Sequence, residues 1–421
     1  MRAYRAFLLV LLTLGIAYSS PTRAQDGLTC VRFTTDAVQD VGNNCANVPV
    51  GTACYGYGGI EISTFGSSAQ SEFTQPTDRI ELASVQQLAT TNLSENSADF
   101  GIATLNLQAN LPRAFPGKGV VMMTLGEVYL ENQVAPDEAL ILPEEPVAVT
   151  AGSNGSTLYS EPSSPVDAAL MLGEVAAGTQ LQADGVSPDG DWLRVFVLAE
   201  KDYAQSSVAW IRLEELAAPV NRRGLPTITA DSLTPMQSFN FSTGESQSIC
   251  GDQPTSLLYI QGPEHIESRL IINGADIHFG STLLIRLLPP GNILQVIVID
   301  GIALLNANTP DQLVIPPGFF SQVCLSEPDE DGLRTVGSDC AWSEPQILAG
   351  DVLESLFTLL DDGIPQNLQY YTTTIPRLVC PSGIGQPLCT IEAGDESLDA
   401  YLDELCDAGL LSDEVCEVYG S

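Results

Sequence analysis

Residues 283–301 read Leu-Leu-Ile-Arg-Leu-Leu-Pro-Pro-Gly-Asn-Ile-Leu-Gln-Val-Ile-Val-Ile-Asp-Gly. The runs Leu283–Leu288 and Leu294–Ile299 are strand-length and rich in branched side chains, and a third, Leu257-Leu-Tyr-Ile, lies just upstream. Short apolar runs of this composition read as strands. Further out, Gly59-Ile-Glu-Ile-Ser and Val120–Leu130 carry the same signal. With 36 Gly and 27 Pro in the chain, short strands and many turns fit better than disorder. The expected fold class is mostly β and multidomain, with antiparallel β-domains.

The 421 residues divide into six parts. Residues 1–24 have Arg2 and Arg5 ahead of the apolar run Ala6–Tyr18, then small residues up to Ala24. That pattern is a secretory signal peptide, cut before Gln25. An N-terminal cysteine-containing β-domain (25–142) and a second segment with its own turns (146–218) follow. A Thr/Ser/Pro-rich linker (219–247) leads to the most apolar segment (248–327), and an acidic loop and helical C-terminal region (328–421) close the chain. There Asp351 and Glu354 approximate a capping box ahead of the stripe Val352, Leu353, Leu356, Phe357 and Leu360. Leu398, Tyr401, Leu402, Leu405 and Cys406 form a second helical stripe, and Ser412 caps a short return helix.

A quiet echo links two segments. Val120–Leu125, Gly126 and Val128–Leu130 are matched by Gln295–Asp300, Gly301 and Ile302–Leu305, each followed by a Pro-Asp pair and a further apolar run. Strand, Gly turn, strand, Pro-Asp turn, strand predicts a β-meander in both places.

Charge narrows the partners. The whole chain carries 16 basic and 53 acidic residues; without the signal, 13 basic residues face the same 53 acids. A surface that acidic repels nucleic acid and anionic membrane. No other stretch reaches the ~18 apolar residues of a membrane span, so no span is expected in the mature chain. All ten cysteines lie beyond the signal, which favours disulfides over metal ligation. The closest spacings, Cys45/Cys54 and Cys380/Cys389, are both C-x8-C, too wide for a zinc knuckle. Expected pairs are Cys406–Cys416, stapling the terminal helical hairpin, Cys380–Cys389, and Cys250–Cys324, bracketing the apolar segment. If Cys324 pairs with Cys340 instead, Cys250 must look elsewhere; Cys30, Cys45, Cys54 and Cys340 are left open.

Residues 146–218 carry ordered motifs: Leu158-Tyr-Ser-Glu-Pro162-Ser163, Gly178-Thr-Gln-Leu181, Asp191-Trp-Leu-Arg-Val195 and Ala209-Trp210-Ile211. This order resembles a bacterial SH3-like (SH3b) domain, and about 70 residues of short strands suit a small SH3-like barrel. The family's Asn-Val-Arg is Tyr159-Ser-Glu161 here, and the glycine before the last tryptophan is Ala209. The resemblance implies recognition of cell-wall peptide or another envelope protein, with Tyr159 and Trp210 as candidate ligand-binding residues and Trp192 as core. Gly280-Ser-Thr-Leu, Gln295–Gly301 and Val314-Ile-Pro-Pro-Gly318 resemble a FecR-like β-fold, a family that senses or scaffolds in the envelope.

No catalytic constellation emerges. The two histidines, His265 and His278, stand without H-E-x-x-H, no G-x-S-x-G elbow is present, and no cofactor loop follows a strand. Sequons at Asn92, Asn154 and Asn240 carry little meaning if the chain is bacterial, as the SH3-like resemblance implies. Glu327-Pro-Asp329-Glu-Asp331-Gly332 imitates part of a calcium loop, but position 12 is Ser338 rather than a bidentate Glu, so an acidic turn is expected. The expected function is a secreted, non-catalytic binding or scaffold protein of the cell envelope or extracellular space. The rivals are a cell-wall or carbohydrate hydrolase using acids that cannot be singled out among 53, and a calcium-stabilised adhesin.

Overall fold

A computed structural model describes residues 36–347, apart from 67–72, 93–99, 114–118, 198–206, 245–255, 264–266 and positions 289, 308, 310, 317 and 331, together with 377–379, 390–392 and 406. The signal segment, His265, Cys30, Cys250, Cys380, Cys389, Cys416 and the Asp351 helix lie outside the described residues. Of the Leu398 helix only Cys406 is described; it is helical, disulfide-bonded and packed on the main core.

The first strands are β1 (Thr52–Tyr57), β2 (Ile60–Thr64), β3 (Arg79–Glu81), β4 (Val85–Thr90), β5 (Ile102–Leu107), β6 (Val120–Leu125) and β7 (Val128–Asn132). A separate sheet takes β8 (Val147–Thr150), β9 (Ser156–Tyr159), β10 (Met171–Val175), β11 (Gln180–Val186), β12 (Trp192–Val197) and β13 (Ser207–Arg212). Then come β14 (Ser238–Thr243), β15 (Leu257–Gln261), β16 (Ser268–Ile272), β17 (Ala275–Leu288), β18 (Ile293–Leu305), β19 (Leu313–Ile315), β20 (Phe319–Cys324) and β21 (Gln346–Ile347). A hairpin of β22 (Arg377–Val379) and β23 (Thr390–Glu392) borders Cys380 and Cys389 in sequence.

The long ribbon β17–β18 organises the fold. Residues Ala275–Phe279 of β17 pair with β16, whereas Thr282–Arg286 pair with β15, and the ladder to β18 shifts register between Thr282 and Leu283. β18 divides the same way, Ile293–Ile297 against β20 and Ala303–Leu305 against β19. One layer therefore runs β2-β4-β7-β14-β16 into the first half of β17, and the other runs from its second half through β15-β6-β5-β1-β3. Leu88, Leu130, Phe241 and Ile277 of the first layer share one buried cluster with Leu105, Met122, Ile260 and Ile285 of the second, none more than 1% exposed. The two layers thus pack face to face as a sandwich. Asn273 and Gly274, at φ 52° and 76°, make the tight turn between β16 and β17, the Asn-Gly signature of a two-residue hairpin.

The second layer is buried on its outer face as well. Val121, Met123, Leu257, Tyr259 and Ile297 pack there with Ala37, Val38 and Val41 of the helix at residues 36–44. This explains why β6 and β15 read as unbroken apolar runs rather than alternating ones. A Cys45–Cys54 disulfide, Cα atoms 5.8 Å apart, ties the end of that helix to β1.

Three expectations change. Residues 25–142 and 248–327 do not form separate domains: β6 pairs with β15 and β7 with β14, so both contribute to one sandwich. The linker 219–247 contains β14, an interior strand whose Phe239 and Phe241 are buried. The alternation Ser-Phe-Asn-Phe-Ser was the available signal for it. Finally, the echo around Gly126 and Gly301 is not a meander. Gly126 (φ 81°) stands where the chain leaves the second layer for the first, and Gly301 (φ 69°) stands between the β20-paired and β19-paired parts of β18. Both glycines are corners between layers, not hairpin turns.

The six-stranded sheet has the order β10-β9-β13-β12-β11-β8, antiparallel at each neighbour, and is open at β10 and β8. One face carries Val149, Leu181, Leu193, Val195 and Ile211 in a core of its own. The opposite face of β12 carries Trp192, Arg194 and Phe196, and Phe196 belongs to the sandwich core. The small sheet is thereby docked on the large one.

Candidate functional site

The aromatic residues chosen from the sequence do meet. Tyr159 on β9 is the register partner of Trp210 on β13, which in turn faces Arg194 on β12. Alternation puts these side chains on the docking face with Trp192. The Tyr159 and Trp192 rings make an edge contact at 5.1 Å and 87°. Leu140 and Leu142 from the chain before β8 and Ile228 from the segment after β13 cover them, leaving Tyr159 6% and Trp210 8% exposed. The expected ligand platform is instead an internal aromatic cluster. Leu170 packs against it from within 146–218, but the buried covering residues lie outside that segment, and nothing within it announces them.

A second cluster lies on the solvent-facing side of the first layer. Leu270, Ile277 and Phe279 point into the core, so Arg269, Asp276 and His278 point out. His278 Nδ1 is 2.7 Å from Glu267 Oε1 and its Nε2 is 3.4 Å from Asp276 Oδ1. Arg269 donates to both oxygens of Asp276, at 2.8 and 2.9 Å, and to the Ala230 carbonyl at 3.2 Å. Burial by itself would lower the His278 pKa, but the hydrogen bonds to Asp276 and Glu267 outweigh it and push the imidazole up to about 9. Burial would raise Asp276, yet the bonds from His278 and Arg269 hold it down at about 2. The bond from His278 also lowers Glu267. At neutral pH the cluster is a closed ion network with a cationic imidazole. A shallow depression beside it is lined by Glu267, Phe279, Gly280, Gly301, Ile302 and Leu304.

His278 stands on β17, opposite Arg269 of β16. The Arg269/His278 cross-strand pair and the alternation in Ala275–Phe279 would have predicted its neighbours once the Asn273-Gly274 turn set the register.

The cysteine pairing differs from the favoured one. Cys324, at the end of β20, bonds Cys340, with Cα atoms 5.6 Å apart. Residues 325–340 return to the strand end through the Leu325/Val336 bridge, which brings Cys340 to Cys324. Inside that loop, Asp329 Oδ1 accepts the Leu333 N–H at 2.8 Å, an acidic turn closed on itself. Among the described residues no group of His, Cys, Asp and Glu is arranged to hold a metal ion, and no helix is long and apolar enough to cross a membrane.

The chain matches no protein-family description, no curated protein and no solved structure.

Proposed function

We propose that this chain is a secreted, non-catalytic binding or scaffold protein of the cell envelope or extracellular space. The observation that carries the reading is the open β10 edge of the small sheet, with Met171 and Leu172 exposed on it. General acid–base chemistry needs a group whose pKa lies near the working pH and that can reach a substrate. His278, at about 9, and Asp276, at about 2, are held charged by each other's company. The disulfides Cys45–Cys54 and Cys324–Cys340 accord with an oxidising, exported setting.

In this reading the SH3-like segment meets its ligand at its edge rather than on its aromatic face. Val166, Met171 and Leu172 are 41%, 52% and 56% exposed, and β10 is an end strand of its sheet. Exposed apolar side chains at an open strand edge suit an extended cell-wall peptide or an envelope protein. The test is co-sedimentation of the mature, oxidised protein with purified peptidoglycan, beside a Met171→Glu/Leu172→Glu variant. Wild-type binding that the variant loses is expected. A wild-type chain that stays in the supernatant overturns the cell-wall reading.

A further inference from the structure

We propose that the solvent-facing side of the first sandwich layer, around Tyr129, is a binding groove for a neutral, hydroxyl-rich glycan chain. This goes beyond the edge-strand reading above and uses different residues.

The face is set by alternation. Leu88, Leu130 and Phe241 point into the core, so Gln87, Ala89, Tyr129, Glu131, Asn240 and Ser242 point the other way. Register then arranges them in two rows across three strands: Ala89, Tyr129 and Ser242 in one, Gln87, Glu131 and Asn240 in the next. Tyr129 is the single aromatic side chain among the large exposed hydrophobics of the described residues, at 44%. Its two cross-strand neighbours, Ala89 and Ser242, are small and leave the ring standing clear between them. The hydroxyl is anchored on Glu127 Oε1 at 3.0 Å. A groove of roughly 270 Å³ runs over these rows, walled by Gly291 and Arg334.

The chemistry selects the ligand class. An open aromatic face accepts the C–H side of a pyranose ring, while planar amide and carboxylate groups about one residue row away match adjacent hydroxyls with paired donors and acceptors. Anionic ligands are disfavoured by charge: Glu131 lines the groove, Glu127 holds the Tyr129 hydroxyl, and the chain has a formal net charge of −37, against Arg334 on the wall, whose Nη1 donates to the Ser326 carbonyl. An added peptide strand is disfavoured too. Past Phe239, β14 leaves β16, and Asn273 takes the place of a strand partner, accepting the Phe241 N–H and donating to the Phe241 and Arg334 carbonyls.

The test is depletion of the full mature protein from solution by chitin, by an insoluble neutral β-glucan and by cross-linked polygalacturonate, with Tyr129→Phe, Tyr129→Ala and Gln87→Ala alongside. Circular dichroism establishes that each variant is folded; all three changes are on the solvent side of the sheet. Depletion by at least one neutral polysaccharide is expected, retained by Tyr129→Phe and weakened at least tenfold in Tyr129→Ala. No depletion by either neutral polymer, equal depletion by the anionic one, or undiminished binding in Tyr129→Ala overturns the proposal. A chain that sediments with peptidoglycan yet ignores both neutral polymers removes the groove and leaves the edge-strand reading standing.

Discussion

Arg194 grips Asp184 through two parallel bonds, Nε to Oδ1 at 2.8 Å and Nη2 to Oδ2 at 2.7 Å, with the two side chains only 6% and 2% exposed. The remaining guanidinium nitrogen donates to the Asn110 carbonyl at 3.0 Å, on the loop between β5 and β6 of the sandwich. One side chain therefore both closes a cross-strand pair in the small sheet and reaches into the large one. A buried pair adds little net stability while intact, but removing one partner strands a charge at a cost of about 3–5 kcal/mol. Asp184→Ala is expected to lower stability by that amount in urea unfolding, whereas Asp184→Leu/Arg194→Met costs less than either single change. A double variant as damaged as the sum of the singles would refute the pairing account.

Trp210 tests the reassignment of the aromatic face. A ligand platform tolerates truncation; a core tryptophan does not, and Trp→Ala in a packed site costs about 3–5 kcal/mol. Trp210→Ala is expected to fall in that range and to lower the melting temperature. A variant as stable as the wild type would return Trp210 to the surface.

The mostly-β class was legible because apolar runs of four to eight residues report strands whatever their partners. Which strands share a sheet was not legible. The β6–β15 ladder joins Leu125 to Leu257, and nothing local in either run encodes the other. The same limit hid the docking of Tyr159 and Trp210, since burial there is supplied by Leu140, Leu142 and Ile228 from outside the segment. Cysteine counting favoured disulfides, but whether Cys324 takes Cys250 or Cys340 depends on the path of the loop after β20. The groove at Tyr129 needs the β4–β7–β14 register, in which β14 falls in a stretch whose Thr, Ser and Pro content resembles a linker.

The ion network predicts a pH dependence with a definite sign. The folded-state pKa of His278, about 9, lies above its ordinary 6.5, so the network's contribution is complete below pH 6.5 and is lost as pH rises through 9. At about 1.4 kcal/mol per pKa unit the loss is at most roughly 3.5 kcal/mol, and less where solvent screens the pair. Asp276 runs the other way: its contribution is present above pH 3.8 and disappears as pH falls through 2. With only two histidines in the chain, a proton NMR titration separates them readily. One imidazole titrating near 9, and a slope of stability between pH 6.5 and 9 that His278→Gln abolishes, are expected. Two imidazoles titrating near 6.5 would contradict the geometry.

The Cys324–Cys340 bond closes a loop with a sequence separation of 16, for which the chain-entropy account gives a stabilisation of about 3 kcal/mol. Cys340→Ala is expected to cost that much. Peptide mapping of the oxidised wild type should recover Cys324 linked to Cys340; a peptide joining Cys324 to Cys250 would restore the pairing first expected from the sequence.

Two glycines with nearly equal backbone angles separate strain from close approach. Gly126 (φ 81°) is the corner between layers, and a Cβ there meets Ser256 Oγ at 2.8 Å and Ser256 Cα at 3.0 Å. Gly291 (φ 86°), in the turn between β17 and β18, has nothing within 4 Å of a Cβ. Both alanine variants lose about 1–2 kcal/mol for a left-handed non-glycine residue. Only Gly126→Ala must also push back the chain entering β15, so it is expected to be the more destabilised of the two by at least about 1 kcal/mol. Equal losses in thermal unfolding would mean that the corner has slack, and that the passage of the chain from one layer to the other does not depend on contact with Ser256.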